Sequence, residues 1–235
     1  IVKDKGCGIA DVTQARTPLA GAFELSRTLD TVCAMTGSVD DCLAVDAVLS
    51  GAPLRVRRRP LTGMRLAVPR TLMLDDLESG VALAFEQALA CLSAGGADVV
   101  EVTLAELGEI ASLNTPAGFA PVEAAAVHAD RLAAHRDAYD PRVAARIDQG
   151  SAVRATDSLR LHDRRRAWIA RMEAALQPFD AIACPTVPMV APAIDALDDD
   201  AAFFRVNGLL LRNPSAINFL DGCAFSLPCH APGAL

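Results

Sequence analysis

Lysine is almost missing from this sequence of 235 residues: Lys3 and Lys5 are present, and every other basic side chain is an arginine. Any chemistry that needs a lysine amine must use one of those two. A phosphate-cradling loop ending in Gly-Lys-Ser or Gly-Lys-Thr is thereby excluded. Aromatic residues are few as well, with one Trp, one Tyr and eight Phe, so Ala, Val and Leu have to fill the interior. Positive charge is scarce: 22 Lys and Arg face 29 Asp and Glu, and a net charge of −7 argues against a nucleic-acid partner, which needs a basic face. No run approaches the roughly 18 apolar residues of a membrane span, and the first residues do not read as a signal peptide. The seven cysteines, at 7, 33, 42, 91, 184, 223 and 229, are odd in number and never spaced CxxC. That excludes a zinc knuckle and a disulfide framework, and it predicts reduced, mostly buried thiols in the cytoplasm.

Familiar catalytic patterns are missing too. No GxGxxG follows a strand, since the turn after Val68 reads Pro69-Arg70-Thr71-Leu72, and no GxSxG elbow occurs. Gly37-Ser38 comes nearest, and Ser38 reads better as a helix cap. Cys229 and His230 are adjacent, so in extended chain they point to opposite faces and do not form a thiol–imidazole pair. His128 and His135 share a helical face two turns apart, about 10 Å, too far for one metal. They and His162 are expected on solvated helix faces. Asp198 to Asp200 lack calcium-loop spacing and read as an exposed loop. Arg57 to Arg59 and Arg164 to Arg166 read as solvated or paired with carboxylates.

What is present is pattern. With 52% hydrophobic residues the chain can bury a core of one large or two small domains. Ser38-Val39-Asp40-Asp41 predicts a helix N-terminus whose helix buries Leu43, Val45 and Val48 and stops at Gly51. A Pro/Arg-rich connector, 51–63, follows. Arg65 to Pro69 and Asp98 to Val102 read as strands; between them Val81, Phe85, Leu89 and Leu92 mark a helix closed by Gly95-Gly96. This βαβ unit predicts parallel neighbours with a right-handed crossover. Helices are expected over Pro121 to His135 and from Pro141 to Gly150. A longer one follows Thr156, with Leu161, Trp168, Met172 and Leu176 on one stripe. Further strands are expected at 180–184 and 224–228, all four sharing one sheet, with an apolar helix around Phe203 to Leu211. Cys184 and Cys223 should be buried and unpaired. The fold class is α/β, a mixed sheet covered by helices.

The order of segments then carries a resemblance. Thr13-Gln14-Ala15-Arg16-Thr17-Pro18 and Gly21-Ala22-Phe23-Glu24-Leu25-Ser26-Arg27-Thr28-Leu29-Asp30-Thr31 come first. Gly63 to Arg70, Asp140-Pro141-Arg142-Val143 and Arg146-Ile147 follow. Phe179 to Pro188 comes next, then Asn218-Phe219-Leu220-Asp221-Gly222 leading to Ser226-Leu227-Pro228-Cys229. In this order they resemble the amidase signature family over residues 13–235. The resemblance implies hydrolysis of a C–N amide bond through an acyl-enzyme made by a Ser–cis-Ser–Lys triad, with no cofactor and a small-molecule amide as substrate. In the family that triad lies upstream of the GxKPT-type segment, hence before residue 13. Asp11 and Val12 stand where that segment's lysine and proline belong, Cys33-Ala34 replaces a usual Gly-Pro, and residues 1–12 do not match.

Both edges therefore read as truncated: residues 13–235 are expected to be a partial amidase domain without its catalytic core or closing segment, an inactive fragment. No residue takes a catalytic, cofactor-binding or metal-binding role, and the substrate-binding residues stay open. Phe203 to Leu211 with Asn213 to Asn218 resemble a wall of the family's substrate funnel, and they read equally well as core. The A subunit of a tRNA-dependent amidotransferase, an allophanate hydrolase relative and a non-catalytic α/β interaction module are the alternatives. A homodimer fits the apolar surface that a missing half would leave.

Overall fold

The computed structural model describes residues 16–53 and 58–229. Lys3, Lys5, Cys7, Thr13 to Ala15, Leu54 to Arg57 and His230 lie outside the described residues, and so does the unmatched edge before residue 13. The chain divides into two compact units, one holding 58–109 and 169–229, the other 16–57 and 110–168.

The first unit is built on three parallel strands, β1 (Arg65–Pro69), β2 (Asp98–Val102) and β3 (Ala181–Ile182), in the order β2-β1-β3. Between β1 and β2 runs a helix over Ser79–Ala94, ended by Gly95 as expected. The βαβ reading therefore holds, with Leu66 opposite both Val99 and Ala181. That row packs against Leu92 of the intervening helix, so the apolar stripe found in the sequence is the one that covers the sheet. The strand expected over 180–184 is shorter, but Asp180 N and Ala183 N still donate to Arg65 O and Ala67 O. The strand expected at 224–228 is absent. Ala224 to Pro228 are exposed extended chain that reaches the loop after β3 through Ser226 Oγ, 2.8 Å from Thr186 Oγ1. A short apolar run makes a strand only where a ladder partner exists, and Pro228 has no N–H to give one.

The second unit is helical. We number its helices with the rest in chain order: α1 (Val39–Ser50), α2 (Ser79–Ala94 of the first unit), α3 (Ile110–Leu113), α4 (Phe119–Ala134), α5 (Pro141–Ser151), α6 (Ala155–Leu176) and α7 (Asp200–Phe219). Pro141 opens α5 at the first helical position, where its missing N–H costs nothing, and Asp140 caps it by accepting from Arg142 N and Val143 N. α4 and α5 bury Ala124, Ala125, Leu132, Ala144 and Ile147 together. Their contact is close enough that a Cβ on Gly150 would lie 1.8 Å from Pro121 O. In α6 the predicted stripe is correct: Leu161, Trp168, Met172 and Leu176 are all buried.

Two burial expectations fail. α1 is capped as predicted, with Ser38 Oγ accepting from Asp41 N and Gly51 left-handed at φ 65°, yet it has no buried residue, and Val48 is 80% exposed. Cys223 is exposed, and so are Cys33, Cys91 and Cys229; Cys184 is partly buried. Local pattern identifies an apolar face without supplying what covers it.

Candidate functional site

In open parallel sheets ligands collect beyond the carboxyl ends of the strands, where loops diverge. Here β1 runs into Arg70 to Met73 and β3 into Cys184 to Pro188. Both loops are tied to α7 by one side chain. Asn213, 1% exposed, donates from Nδ2 to Pro185 O at 2.8 Å and to Met73 O at 3.0 Å. Its Oδ1 accepts from Arg212 Nε at 3.1 Å. An amide supplies both donors and an acceptor in one plane, so Asn213 satisfies two loop carbonyls that burial would otherwise leave unpaired. Leu72 takes φ 64°, a left-handed conformation that a branched side chain adopts at a cost, and it sits one residue before the Met73 carbonyl that Asn213 holds. Farther out, Glu78 N donates to Pro188 O at 2.8 Å and Glu78 Oε2 accepts from Val190 N at 3.0 Å, pinning the Pro-rich loop.

Chemically this edge is a wall more than a machine. The Thr186 and Ser226 hydroxyls bond each other at 2.8 Å. Burial pushes the Cys184 thiol up to about 11, so it stays protonated and a poor nucleophile near neutrality. Among the described residues no cluster of three or more His, Cys, Asp or Glu could hold a metal ion. The leucine run that read either as funnel wall or as core is divided: Leu209 and Leu210 are partly buried and Leu211 is 44% exposed. The core contacts of α7 come instead from Val206, Ala216, Ile217 and Phe219.

The side chains that sequence considered for chemistry take structural places. Ser38 caps α1 and its Oγ donates to Asp41 Oδ2 at 2.7 Å. His128 is not on a solvated face: its Nδ1 lies 2.8 Å from Tyr139 Oη, and Phe23 meets its ring edge-on at 5.1 Å. His162 is partly buried edge-on to Phe119, at 4.7 Å. Asp199 caps α7 by accepting from Ala202 N, which explains the acidic run better than a loop does. Arg166 pairs with Asp163, and Arg164 donates to Thr115 O.

Sequence reading missed Glu123 altogether. Its side chain accepts from Ser26 Oγ at 2.5 Å, Thr28 Oγ1 at 2.5 Å and Thr28 N at 3.0 Å. No local signal could have found it, because donors and acceptor lie 95 and 97 residues apart.

Set beside known proteins, residues 12–232 match the family model described as Amidase. A 2-amino-5-chloromuconic acid deaminase of Comamonas testosteroni is 29% identical over 229 residues, which is 92% of this chain and 47% of that protein. An indoleacetamide hydrolase of Rhizobium radiobacter is 35% identical over 115 residues, 48% of this chain and 24% of the hydrolase. A crystal structure of an amidase is 26% identical with a TM-score of 0.74, covering 88% of this chain and 47% of that one. The chain thus spans about half the length of the deaminase and of the solved amidase.

Proposed function

The chain belongs to the amidase family, and we propose that it is the pocket-wall half of an enzyme that hydrolyses carbon–nitrogen bonds of small amides, a half that turns over no amide by itself. The observation that carries this is the family match over 12–232 together with relatives that share its fold and are about twice as long. In the complete reaction a serine oxygen attacks the amide carbon, the C–N bond breaks as the nitrogen takes a proton, and water then releases the acid from the acyl-enzyme. The serine must lose its proton to a base. In a Ser–cis-Ser–Lys arrangement that base is a neutral lysine reached through a second serine.

This chain has no lysine beyond position 5, and its hydroxyls at the carboxyl edge of the sheet bond each other. Its own contribution is the wall: the loops after β1 and β3, fixed by Asn213, against which an acyl group would lie. Residues 13–235 on this reading are a partial domain. The names of the relatives suit a small unsaturated or aryl-substituted substrate, and neither nucleic acid nor a membrane enters the proposal. Among the described residues no helix is long and apolar enough to cross a membrane, and the free thiols suit the cytoplasm.

The purified chain, assayed with several aryl amides and anilides for amine release, is expected to stay at background. A version carrying Lys3→Ala and Lys5→Ala is the control. Turnover by the parent that the double substitution abolishes would place a working base in the first five residues and sink the inactive-half reading.

A further inference from the structure

One arginine of the sheet-bearing unit carries its charge with no carboxylate beside it. Others there follow the common pattern: Arg65, Arg70 and Arg171 pair with Asp98, Glu101 and Glu109, and their side chains are 44%, 65% and 47% exposed. Arg212 of α7 is half-buried, and among the described residues its guanidinium makes one hydrogen bond, from Nε to Asn213 Oδ1 at 3.1 Å. Its terminal nitrogen Nη2 is buried and meets no acceptor. A guanidinium does not give up its proton, so such a group stays charged and costs more than a neutral N–H until an acceptor meets it. The network also fixes its aim. Asn213 uses both amide protons on Met73 O and Pro185 O, so its oxygen is what faces Arg212. Nε is thereby occupied and the terminal N–H groups are left, one hydrogen-bond step from the loops that follow β1 and β3. On the same helix Asn207 holds a second buried donor, Nδ2, without an acceptor. Both unmet groups are donors, so what suits them is an acceptor that bears negative charge.

Resting on the amide-hydrolase reading above, we propose that Arg212 receives a carboxylate carried by the acyl part of the substrate, so that monoamides of dicarboxylic acids are taken in preference to neutral amides. The carboxylate accepts from the terminal N–H groups, whose planar fork matches its two oxygens. Position and charge point the same way. The guanidinium stands at the carboxyl edge of a parallel sheet, on the wall against which the acyl part lies, and in a half-buried setting one ion pair weighs more than it does in water. Nη2 is closed to water as the chain stands, so entry takes a turn of the side chain. The network at Asn213 holds one cation, which matches a singly charged carboxylate better than a phosphate dianion. The chain itself has acids in excess, 29 Asp and Glu against 22 Lys and Arg, yet none is set on this guanidinium.

The full chain, isotopically labelled, is titrated at one ionic strength with succinamate, its uncharged methyl ester, propionate and inorganic phosphate. The readout is the Nε–H resonance of Arg212, assigned through its backbone, so the parent reports without any substitution. Arg212→Gln and Arg212→Lys are measured beside it, with urea unfolding to show that each is folded. Succinamate is expected to shift the resonance to saturation, and Arg212→Gln to weaken its binding roughly tenfold to a hundredfold, the worth of a charge-assisted hydrogen bond. Arg212→Lys keeps the charge without the fork and should recover part of that loss. No saturable shift in the folded parent, an ester or a phosphate that binds as tightly as succinamate, or binding indifferent to Arg212→Gln would each overturn the proposal. Propionate separates it from the reading beneath. Propionate that binds on Arg212 as tightly as succinamate leaves the carboxylate site standing and counts against the amide reading. Ester binding that moves resonances of the loops after β1 and β3, tighter than any carboxylate and with Arg212 unmoved, does the reverse.

Discussion

Residues 23–30 and residues 39–50 follow each other in one unit and end in opposite surroundings. The first is an irregular turn with little local pattern, yet Ser26 is 1% exposed and Glu123 of α4 accepts three hydrogen bonds from Ser26 and Thr28. The second has cap, period and stop in order, yet none of its residues is fully buried, and Leu43 and Ala47 are only half-buried. The turn is held by a distant half-buried carboxylate, the helix by its own caps and by one ion pair between Asp46 and Arg16. The contrast separates two things a sequence does: local chemistry decides whether an element forms, and distant partners decide whether it is covered.

Breaking the platform under the turn should have the largest effect. In α5, Gly150 has no room for a side chain, because a Cβ there would meet Pro121 O at 1.8 Å and Val122 N at 2.7 Å, both backbone atoms of α4. Gly150→Ala has to push the two helices apart, and a loss of about 3 kcal/mol is expected in urea unfolding. A loss under about 0.5 kcal/mol would mean that α4 and α5 are not the rigid base to which the turn is clamped.

The same divide between covered and uncovered runs through two thiols of the other unit. Cys184 and Cys223 both lie beside apolar segments and were expected alike, but the first is partly buried and the second exposed. Burial raises the Cys184 thiol from an ordinary 9.0 to about 11. Its thiolate fraction at pH 8 should therefore lie about a hundredfold below that of an ordinary thiol, and its alkylation should be slower in proportion. A thiol that ionises later in the folded chain than in the unfolded one contributes stability below pH 9. That contribution is lost as pH rises from 9 towards 11, so the urea midpoint should fall across that window. A midpoint that falls equally in Cys184→Ala would assign the effect to other groups.

Direct removal of the clamp should cost less than Gly150→Ala. Glu123→Ala strands the Ser26 hydroxyl and the Thr28 N–H, and about 2 kcal/mol should go. Exchange of the 26–30 amides should rise with it. Unchanged exchange there would mean that Glu123 does not hold the turn.

How much of this was legible follows the same line. β1, β2, the helix between them, α5 and the stripe of α6 were readable because period, caps and βαβ spacing are local or nearly so. Ser226 and its neighbours misled, because Ala224 to Leu227 form a short apolar run stopped by Pro228, while only a ladder partner makes a strand. Asn213 sat inside a stretch read as wall or core, and nothing in Arg212-Asn213-Pro214 announces that its amide bridges Met73 O and Pro185 O, 140 and 28 residues away. Family order found the region; geometry was needed to find the side chain.

The smallest effect sharpens the comparison most. Val48→Lys in the chain alone should change stability by less than about 0.5 kcal/mol, although it puts a charge at a position sequence had marked as core. Val48 is 80% exposed, so its apolar surface is scarcely removed from water and little transfer energy is at stake. The position lies in the last turn of α1, which holds no basic residue, and a cation there is favoured by the helix dipole. Valine is also the weaker helix former of the two, so the intrinsic term leans the same way. The measurement is the urea midpoint of the second unit's helical signal at low salt, where the dipole term is largest. Destabilisation above about 1 kcal/mol would show that α1 is covered within the chain itself, and the distinction between a clamped turn and an uncovered helix would fall.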